Sequence, residues 1–280
     1  MTLKAYHINN SCGLMAEFVH SYDMGVGVAA FSTTRHGGCS TGNYASFNIN
    51  RYCGDDEQHI VRNRKMLSRF LGVSDDRLIM PHQTHQTDVA LIDETFLMLS
   101  DAGRQELLEA KDALMTNIRG VCVGVSTADC IPVLLYDEVH HAVCAVHAGW
   151  RGTVHRIVLK TLDRMSACYG TQPSQVVALI GPGISLDSFE VGDEVYEIFA
   201  DEGFDMSAIS RRYPIMGENN GQKWHIDLPA SNRLQLLEAG VPQQHVLMSS
   251  VCTFKQSDDF FSARRLGINS GRIFTGIMMS

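Results

Sequence analysis

The sequence predicts a mixed α/β fold in which helices flank a β-sheet core. Three short apolar runs rich in β-branched residues, at 121–125, 131–136 and 142–146, predict buried strands. Apolar residues recur at helical spacing in Glu57–Leu71 and in 152–168, which predicts two helices that pack on the sheet. Strands and helices mixed along one chain indicate a layered α/β or α+β architecture.

The other elements follow from local signals in chain order. Strands are predicted where apolar residues run between turn signals, at 26–33, 89–92, Val176–Ile180 and 272–279. Helices are predicted at 192–200 and 229–239, and the glycine-containing stretch 35–48 is predicted to form turns. No linker, repeat or low-complexity segment divides the sequence, so we expect one domain over residues 1–280.

Charge and composition exclude several classes of function. The net charge of −8 argues against a nucleic-acid-binding surface, which needs a positive excess. No apolar run approaches the roughly 18 residues of a membrane span. The first ten residues, MTLKAYHINN, lack the apolar core of a signal peptide. We therefore expect a cytoplasmic protein without nucleic-acid or membrane partners, as a monomer or a simple homodimer.

The candidate catalytic and metal-binding side chains lie in three short segments, PHQTH (81–85), STADC (126–130) and VHAGWRG (146–152). Cys130 lies between two predicted strands, and His147 precedes a glycine-containing turn into a helix, a position where α/β folds bind ligands. This pair fits either nucleophilic Cys–His chemistry or two metal ligands. Adding His85 favours the metal, because imidazole and thiolate suit zinc and three ligands leave a fourth position open. Spacing alone leaves open the alternative of a packed cysteine and hydrogen-bonded histidines.

At these segments the sequence resembles the laccase-domain-containing family of purine nucleoside phosphorylases, also called the polyphenol oxidase or peptidoglycan editing factor family. TADC-x-P and HAGWRG are the specific signatures. Supporting stretches run in the family's order from about residue 31 to the C-terminus, among them FSTTRHGGCSTGNYASFNIN, GDDEQHIVRNR, QTHQTDV, DALMTN and HIDLPASNRLQL.

The resemblance implies a single domain with a mixed β-sheet core, related to the catalytic domains of deamidating toxins that use Cys–His chemistry. It implies one zinc ion held by His85, Cys130 and His147. The implied activities are phosphorolysis of adenosine, inosine, guanosine and methylthioadenosine, with phosphate as co-substrate, and deamination of adenosine.

These reactions need further groups around the metal. We expect Cys130 and His147 to be catalytic as well as ligating, with Asp129 as a candidate for proton transfer. Phosphate calls for cationic side chains, and arginine is the best shaped for bidentate contact. The expected substrate-binding residues are Arg35, Arg64, Arg151 and Arg264 for phosphate, and Asn48 and Gln83 for ribose or base.

Three other functions remain open. A Cys130–His147 pair, or the zinc site, could hydrolyse peptidoglycan precursors. A copper-dependent polyphenol oxidase is disfavoured, because multicopper centres need clustered H-x-H and H-C-H patterns that the 12 histidines do not form. A non-catalytic protein with a structural zinc site would have four ligands, and only three are evident.

Overall fold

The computed structural model describes residues 17–214 and 221–280. The prediction drawn from the first ten residues lies outside this part of the chain. The strands are β1 (Val19–Tyr22), β2 (Val28–Thr33), β3 (Leu78–Ile79), β4 (Val89–Leu91), β5 (Ala113–Thr116), β6 (Cys122–Thr127), β7 (Ile131–Asp137), β8 (Ala142–Ala148), β9 (Val176–Ile180), β10 (Glu190–Val191), β11 (Ser210–Pro214), β12 (Gln222–Ile226), β13 (Val246–Met248) and β14 (Ile273–Met279).

The helices are α1 (Glu57–Leu71), α2 (Glu94–Met98), α3 (Asp101–Leu108), α4 (Trp150–Val154), α5 (Ile157–Tyr169), α6 (Asp193–Asp201), α7 (Met206–Ile209), α8 (Leu228–Glu238) and α9 (Ala263–Leu266). Across the described residues, none of them is long and apolar enough to pass through a bilayer.

The strands form three sheets, two of which mix parallel and antiparallel pairs. The five-stranded sheet has the order β1-β2-β14-β6-β3, and only β3 runs parallel to its neighbour. The six-stranded sheet has the order β13-β9-β7-β8-β5-β4, with parallel pairs at its two edges. The antiparallel three-stranded sheet has the order β10-β12-β11. The mixed α/β class predicted from the sequence is confirmed.

The two larger sheets pack face to face, and helices cover their outer faces. Leu134 of β7 lies with Val123 and Val125 of β6 in the apolar cluster between the sheets. Side chains alternate along a strand, so Val133 points to the other face, where it packs in the cluster that includes Val158 of α5. Helix α1 packs on the outer face of the five-stranded sheet. Both faces of the central strands are therefore buried, which is why their sequences read as continuous apolar runs.

Most predicted elements are present, with one clear exception. The stretch 152–168, predicted as one helix, contains the end of α4 and most of α5 instead. The two helices are separated at Arg156, whose φ of 63° is left-handed and cannot continue a right-handed helix. The apolar spacing of this stretch is helical on both sides of the break, so periodicity alone does not reveal it.

The crossing between the larger sheets positions the candidate site. Strand β6 ends at Thr127 in the five-stranded sheet, and β7 begins at Ile131 in the six-stranded sheet. Only residues 128–130 connect them, and Asp129 has a left-handed φ of 86°. The segment STADC thus lies where the chain passes from one sheet to the other.

Candidate metal centre

Three donor side chains meet at this crossing. Cys130 directly precedes β7, His147 lies near the end of β8, and His85 lies in the loop between β3 and β4. The antiparallel pairing of β7 with β8 sets Pro132 opposite His147, which brings Cys130 beside the histidine. The ligand atoms of the three side chains all lie within 4.8 Å of one another. The cluster could hold a metal ion, and its three donors leave one tetrahedral position for another ligand.

Asp112, which directly precedes β5, organises this cluster. Its fully buried carboxylate accepts a hydrogen bond of 2.7 Å from Nδ1 of His147. It also accepts backbone N–H groups from residues 84, 85 and 86, at 3.3, 3.0 and 2.7 Å. A carboxylate of this kind fixes the histidine tautomer and leaves Nε2 of His147 free to bind a metal. One side chain therefore holds both histidine ligands in place.

The electrostatics favour a charged donor set. Burial alone would raise the pKa of the Cys130 thiol. The adjacent His147 and His85 outweigh this effect and lower the pKa to about 6. Burial lowers the pKa of His147, but Cys130 and Asp112 raise it, to about 9. Without a metal, thiolate and imidazolium therefore stabilise each other at neutral pH. A cation that replaces the imidazolium proton meets a thiolate that is already ionised.

The space around the donors also fits a metal. A Cβ atom at Gly149 would lie 3.0 Å from Sγ of Cys130 and 3.2 Å from Cδ2 of His85. The φ of Gly149 is −66°, so an alanine would be excluded by contact with the two donors and not by backbone conformation. His85 itself has a left-handed φ of 64°, an uncommon conformation that turns its side chain out of the loop. Glycine at this position therefore leaves room for the side chains of Cys130 and His85.

The comparison with known families decides what this chain belongs to. Residues 29–280 match the family described as multi-copper polyphenol oxidoreductase laccase. The chain belongs to this laccase family. The resemblance drawn from TADC-x-P and HAGWRG is thereby confirmed.

Similar proteins in the laccase family have more specific names. A purine nucleoside phosphorylase of Bacteroides thetaiotaomicron is 52% identical over 252 residues, covering 90% of this chain and 92% of the relative. A protein from an unknown prokaryotic organism, adenosine deaminase RL5, is 45% identical over 251 residues, covering 90% and 94%. The crystal structure of Bacillus licheniformis hypothetical protein YfiH superposes with a TM-score of 0.82 at 29% identity, covering 90% and 93%.

In this laccase-family chain, both carboxylate oxygens of Asp129 accept hydrogen bonds from other residues of the protein. One carboxylate oxygen accepts from Oγ1 of Thr253 at 2.7 Å, and the other accepts from the backbone N–H of Arg264 at 2.7 Å. Asp129, the residue next to Cys130, therefore holds Thr253 and the first turn of α9. Its expected part in proton transfer stays a prediction.

Three of the expected substrate-binding residues donate to other groups of the chain. Nε and Nη1 of Arg35 donate to the carbonyl oxygens of Ala45 and Ser257, at 2.9 and 2.6 Å. The buried Asn48 donates to the Asp55 carboxylate at 2.9 Å. The side chain of Gln83 bonds both the carbonyl oxygen and the N–H of Ser126, at 2.8 and 2.7 Å. Gln83 thus clamps the His85 loop to β6.

The remaining arginines lie in different surroundings. Arg64 is a buried residue of α1 and donates to the carbonyl oxygen of Leu78 at 2.8 Å. Arg151 is exposed and stacks on Trp150 at 4.2 Å, two residues after Gly149. Arg264 is exposed, and its backbone joins it to Asp129. The guanidinium of Arg264 donates to the carbonyl oxygen of Glu190 at 3.1 Å, and Arg64 lines a cavity that none of the three cluster residues lines. The expected phosphate contacts of Arg151 and Arg264 stay predictions.

Sequence reasoning missed Asp112. Its segment, DALMTN, is among the stretches that resemble the family, but the aspartate received no role. The only local signal is an acidic residue directly before an apolar run. An aspartate that is fully buried at the start of a core strand must have hydrogen-bond partners for its carboxylate.

Proposed function

We propose that this chain is a metal-dependent enzyme that acts on purine nucleosides. The principal reaction in this proposal is phosphorolysis of adenosine, inosine, guanosine or methylthioadenosine to the free base and (methylthio)ribose 1-phosphate. Adenosine deamination is the second reaction. The observation that carries the proposal is the three-donor cluster of His85, Cys130 and His147, open on one side. The names of two relatives support the substrate class.

Zinc is the metal that we propose for this cluster. Two imidazole nitrogens and a thiolate are donors that zinc prefers, and an open fourth position is typical of catalytic zinc. Copper binds such donors too, but multicopper oxidation needs several copper sites. The part of the chain that the structure describes contains one such cluster of histidine, cysteine and carboxylate groups. Bound zinc would supply a Lewis acid that stabilises negative charge developing on an oxygen atom.

The residues of the chain have separate tasks in phosphorolysis. Phosphate attacks C1′ of the ribose as the bond to the purine breaks, so cationic groups must hold phosphate near the sugar. We assign this task to Arg151, an exposed arginine two residues after Gly149, and to Arg264, an exposed arginine whose backbone N–H donates to Asp129. Asp112 holds His147 and the His85 loop, and Asp129 holds the segment that carries Arg264.

Product analysis tests the proposal directly. Purified protein of measured zinc content is incubated with adenosine, with and without phosphate, and all products are separated by chromatography. We expect adenine and ribose 1-phosphate only with phosphate, and any inosine independently of phosphate. Cys130→Ala should lose both zinc and turnover. Cys168→Ala removes an exposed thiol on α5 and should retain both. A folded, zinc-loaded protein that turns over no nucleoside would overturn the proposal.

A second candidate function rests on the ionised Cys130–His147 pair. Thiolate and imidazolium side by side are the arrangement of a Cys–His hydrolase, and peptidoglycan precursors are the substrate class that we assign to this alternative. Metal dependence separates the two. Chelation should abolish the zinc reaction, whereas a hydrolase that uses Cys130 as nucleophile should stay active in the chelator.

A further inference from the structure

A cavity that none of the metal-cluster residues lines lies between α1, β3 and α3. Its volume is about 530 Å³, in the range of roughly 300–1,000 Å³ typical of small-molecule sites. Apolar side chains form part of its wall, including Met80, Phe96 and Leu108. The cavity is therefore a separate space with an apolar surface.

Arg64 is the buried cation of this cavity. Its exposed fraction is 8%, and its Nη2 donates to the carbonyl oxygens of Leu78 and Asp75 at 2.8 and 3.3 Å. Its buried Nε has no hydrogen-bond partner and lies 3.7 Å from the half-exposed carboxylate of Asp75. Within residues 17–214 and 221–280, Nη1 donates no hydrogen bond either. A buried donor without a hydrogen-bond partner, as Nε is, is costly unless a ligand meets it.

A second guanidinium lies at the same end of the cavity. Arg51 is exposed and lines the cavity, and it forms no hydrogen bond or ion pair within the described residues. Burial and the nearby charge of Arg51 lower the pKa of Arg64, while Asp75 raises it. Tyr52 lines the same end, and its ring stacks on His82 at 4.3 Å. Arg51, Arg64 and the Tyr52 ring therefore line one cavity, with the Asp75 carboxylate beside Arg64.

The lining contains other charged groups, and Arg104 and Asp76 are engaged with neighbours. Arg104 donates to the carbonyl oxygens of Asp76 and Leu97. A hydrogen bond from Ser74, together with the charges of Arg104 and Arg77, holds the pKa of Asp76 below its usual value. Asp101 is exposed at the start of α3. The lining thus carries three arginines and three aspartates, and Asp75 lies 3.7 Å from Nε of Arg64. Arg51 is the arginine of the lining that has neither a hydrogen bond nor an ion pair within the described residues, so its charge is the one without a partner.

We propose that this cavity binds a nucleoside monophosphate. The phosphate is held between Arg51 and Arg64, whose planar guanidinium groups suit bidentate contact with phosphate oxygens. The nucleoside occupies the rest of the cavity, with its planar base against the apolar wall. A volume of about 530 Å³ leaves most of the space for this larger part of the ligand. The proposal does not depend on the function assigned to the metal cluster.

Calorimetric titration of the full-length, metal-loaded protein with adenosine monophosphate tests this site. We expect saturable binding that Arg51→Gln weakens at least about tenfold, because a charge-assisted contact to phosphate is lost. Arg62→Gln is the matched control, since Arg62 is an exposed arginine of α1 that does not line the cavity. It should bind like the unaltered protein. In Cys130→Ala, which removes the metal cluster as a competing site, adenosine and inorganic phosphate should each bind at least about tenfold more weakly than the monophosphate.

Cys130→Ala separates this site from the metal cluster. The variant should bind adenosine monophosphate as the unaltered protein does, even if the protein turns over no nucleoside. Loss of binding in Cys130→Ala would overturn the assignment, because the ligand would then occupy the metal cluster. So would absence of saturation at millimolar ligand, equal effects of Arg51→Gln and Arg62→Gln, or, in Cys130→Ala, inorganic phosphate binding as tightly as the nucleotide. Melting temperatures of all variants check that each is folded.

Discussion

Replacing Asp112 by asparagine should weaken metal binding without removing a metal ligand. The carboxylate receives four N–H groups in the present structure. Nδ1 of His147 and the backbone N–H of His85 meet Oδ1, at 2.7 and 3.0 Å. The backbone N–H groups of Thr84 and Gln86 meet Oδ2, at 3.3 and 2.7 Å. Asp112→Asn keeps the shape of the side chain and removes its charge and one acceptor oxygen.

The size of the effect follows from these bonds. An amide nitrogen in place of Oδ2 could not accept hydrogen bonds from the two N–H groups that face it. Of the two hydrogen bonds lost, the one from Gln86, at 2.7 Å, is the shorter and stronger. A hydrogen bond to a charged group contributes about 1.5–3 kcal/mol, and 1.4 kcal/mol is a tenfold change in affinity. Metal affinity should therefore fall about 10- to 100-fold, the range typical of carboxylates that orient a metal-binding histidine.

Competition with a chromophoric chelator measures this affinity, and Asp137→Asn provides the matched control. Asp137 is also fully buried, and it accepts from Nδ1 of His140 at 2.8 Å and from two backbone N–H groups. It lies at the far end of β7 from Cys130. Asp137→Asn should lower stability and leave metal affinity unchanged. Equal metal affinity in Asp112→Asn and the unaltered protein would refute the reasoning.

Three further predictions use simpler readouts. Gly149→Ala should weaken metal binding by about 1–3 kcal/mol, because its Cβ would crowd Cys130 and His85; unchanged affinity by chelator competition would contradict this. Burial raises the pKa of Asp137, but interactions with Thr171 and His140 bring it below the ordinary 3.8. Its stabilising contribution is therefore complete above that pH and is lost as pH falls through the folded-state value. Unfolding free energies measured from pH 5 to 3 should therefore fall less steeply in Asp137→Asn. Chelation should abolish nucleoside turnover and leave the far-ultraviolet circular dichroism spectrum intact, whereas unfolding on chelation would indicate a structural metal.

The sequence could predict individual elements where one signal dominates. The apolar run Val176–Ile180 is flanked by turn residues and forms β9 with the predicted bounds, and α1 ends where Gly72 adopts a left-handed φ of 70°. The partition of strands among sheets was not predictable. Strands β6 and β7 are separated by three residues, and proximity in sequence favours a hairpin, yet they belong to different sheets. Both have two buried faces, so neither carries an alternation that would show which neighbour it pairs with.

The small sheet was missed for the opposite reason. Its strands β11 and β12 carry exposed polar side chains such as Arg211 and Lys223, and lack the apolar runs that predict a buried strand. Their stability comes from pairing with each other and from contacts such as the stack of Tyr196 on Trp224, at 4.0 Å. Such a sheet depends on cross-strand partners that only the fold brings together.

The residues of the candidate site also differ in how far the sequence predicts them. His85, Cys130 and His147 were predictable because donors that zinc prefers interrupt apolar or glycine-containing segments, and the family resemblance joined them. Asp112 was not, because its partners lie 26 to 35 residues away along the chain. Three consecutive N–H groups can converge on one carboxylate only if the loop wraps around it, which the left-handed φ of His85 allows. Histidine adopts this conformation more often than most residues, but it is uncommon for any residue with a side chain, so the local sequence does not predict it. The residues proposed to bind the metal can thus be identified from short motifs, whereas the residue that positions them is defined by contacts that exist only after the two sheets have packed.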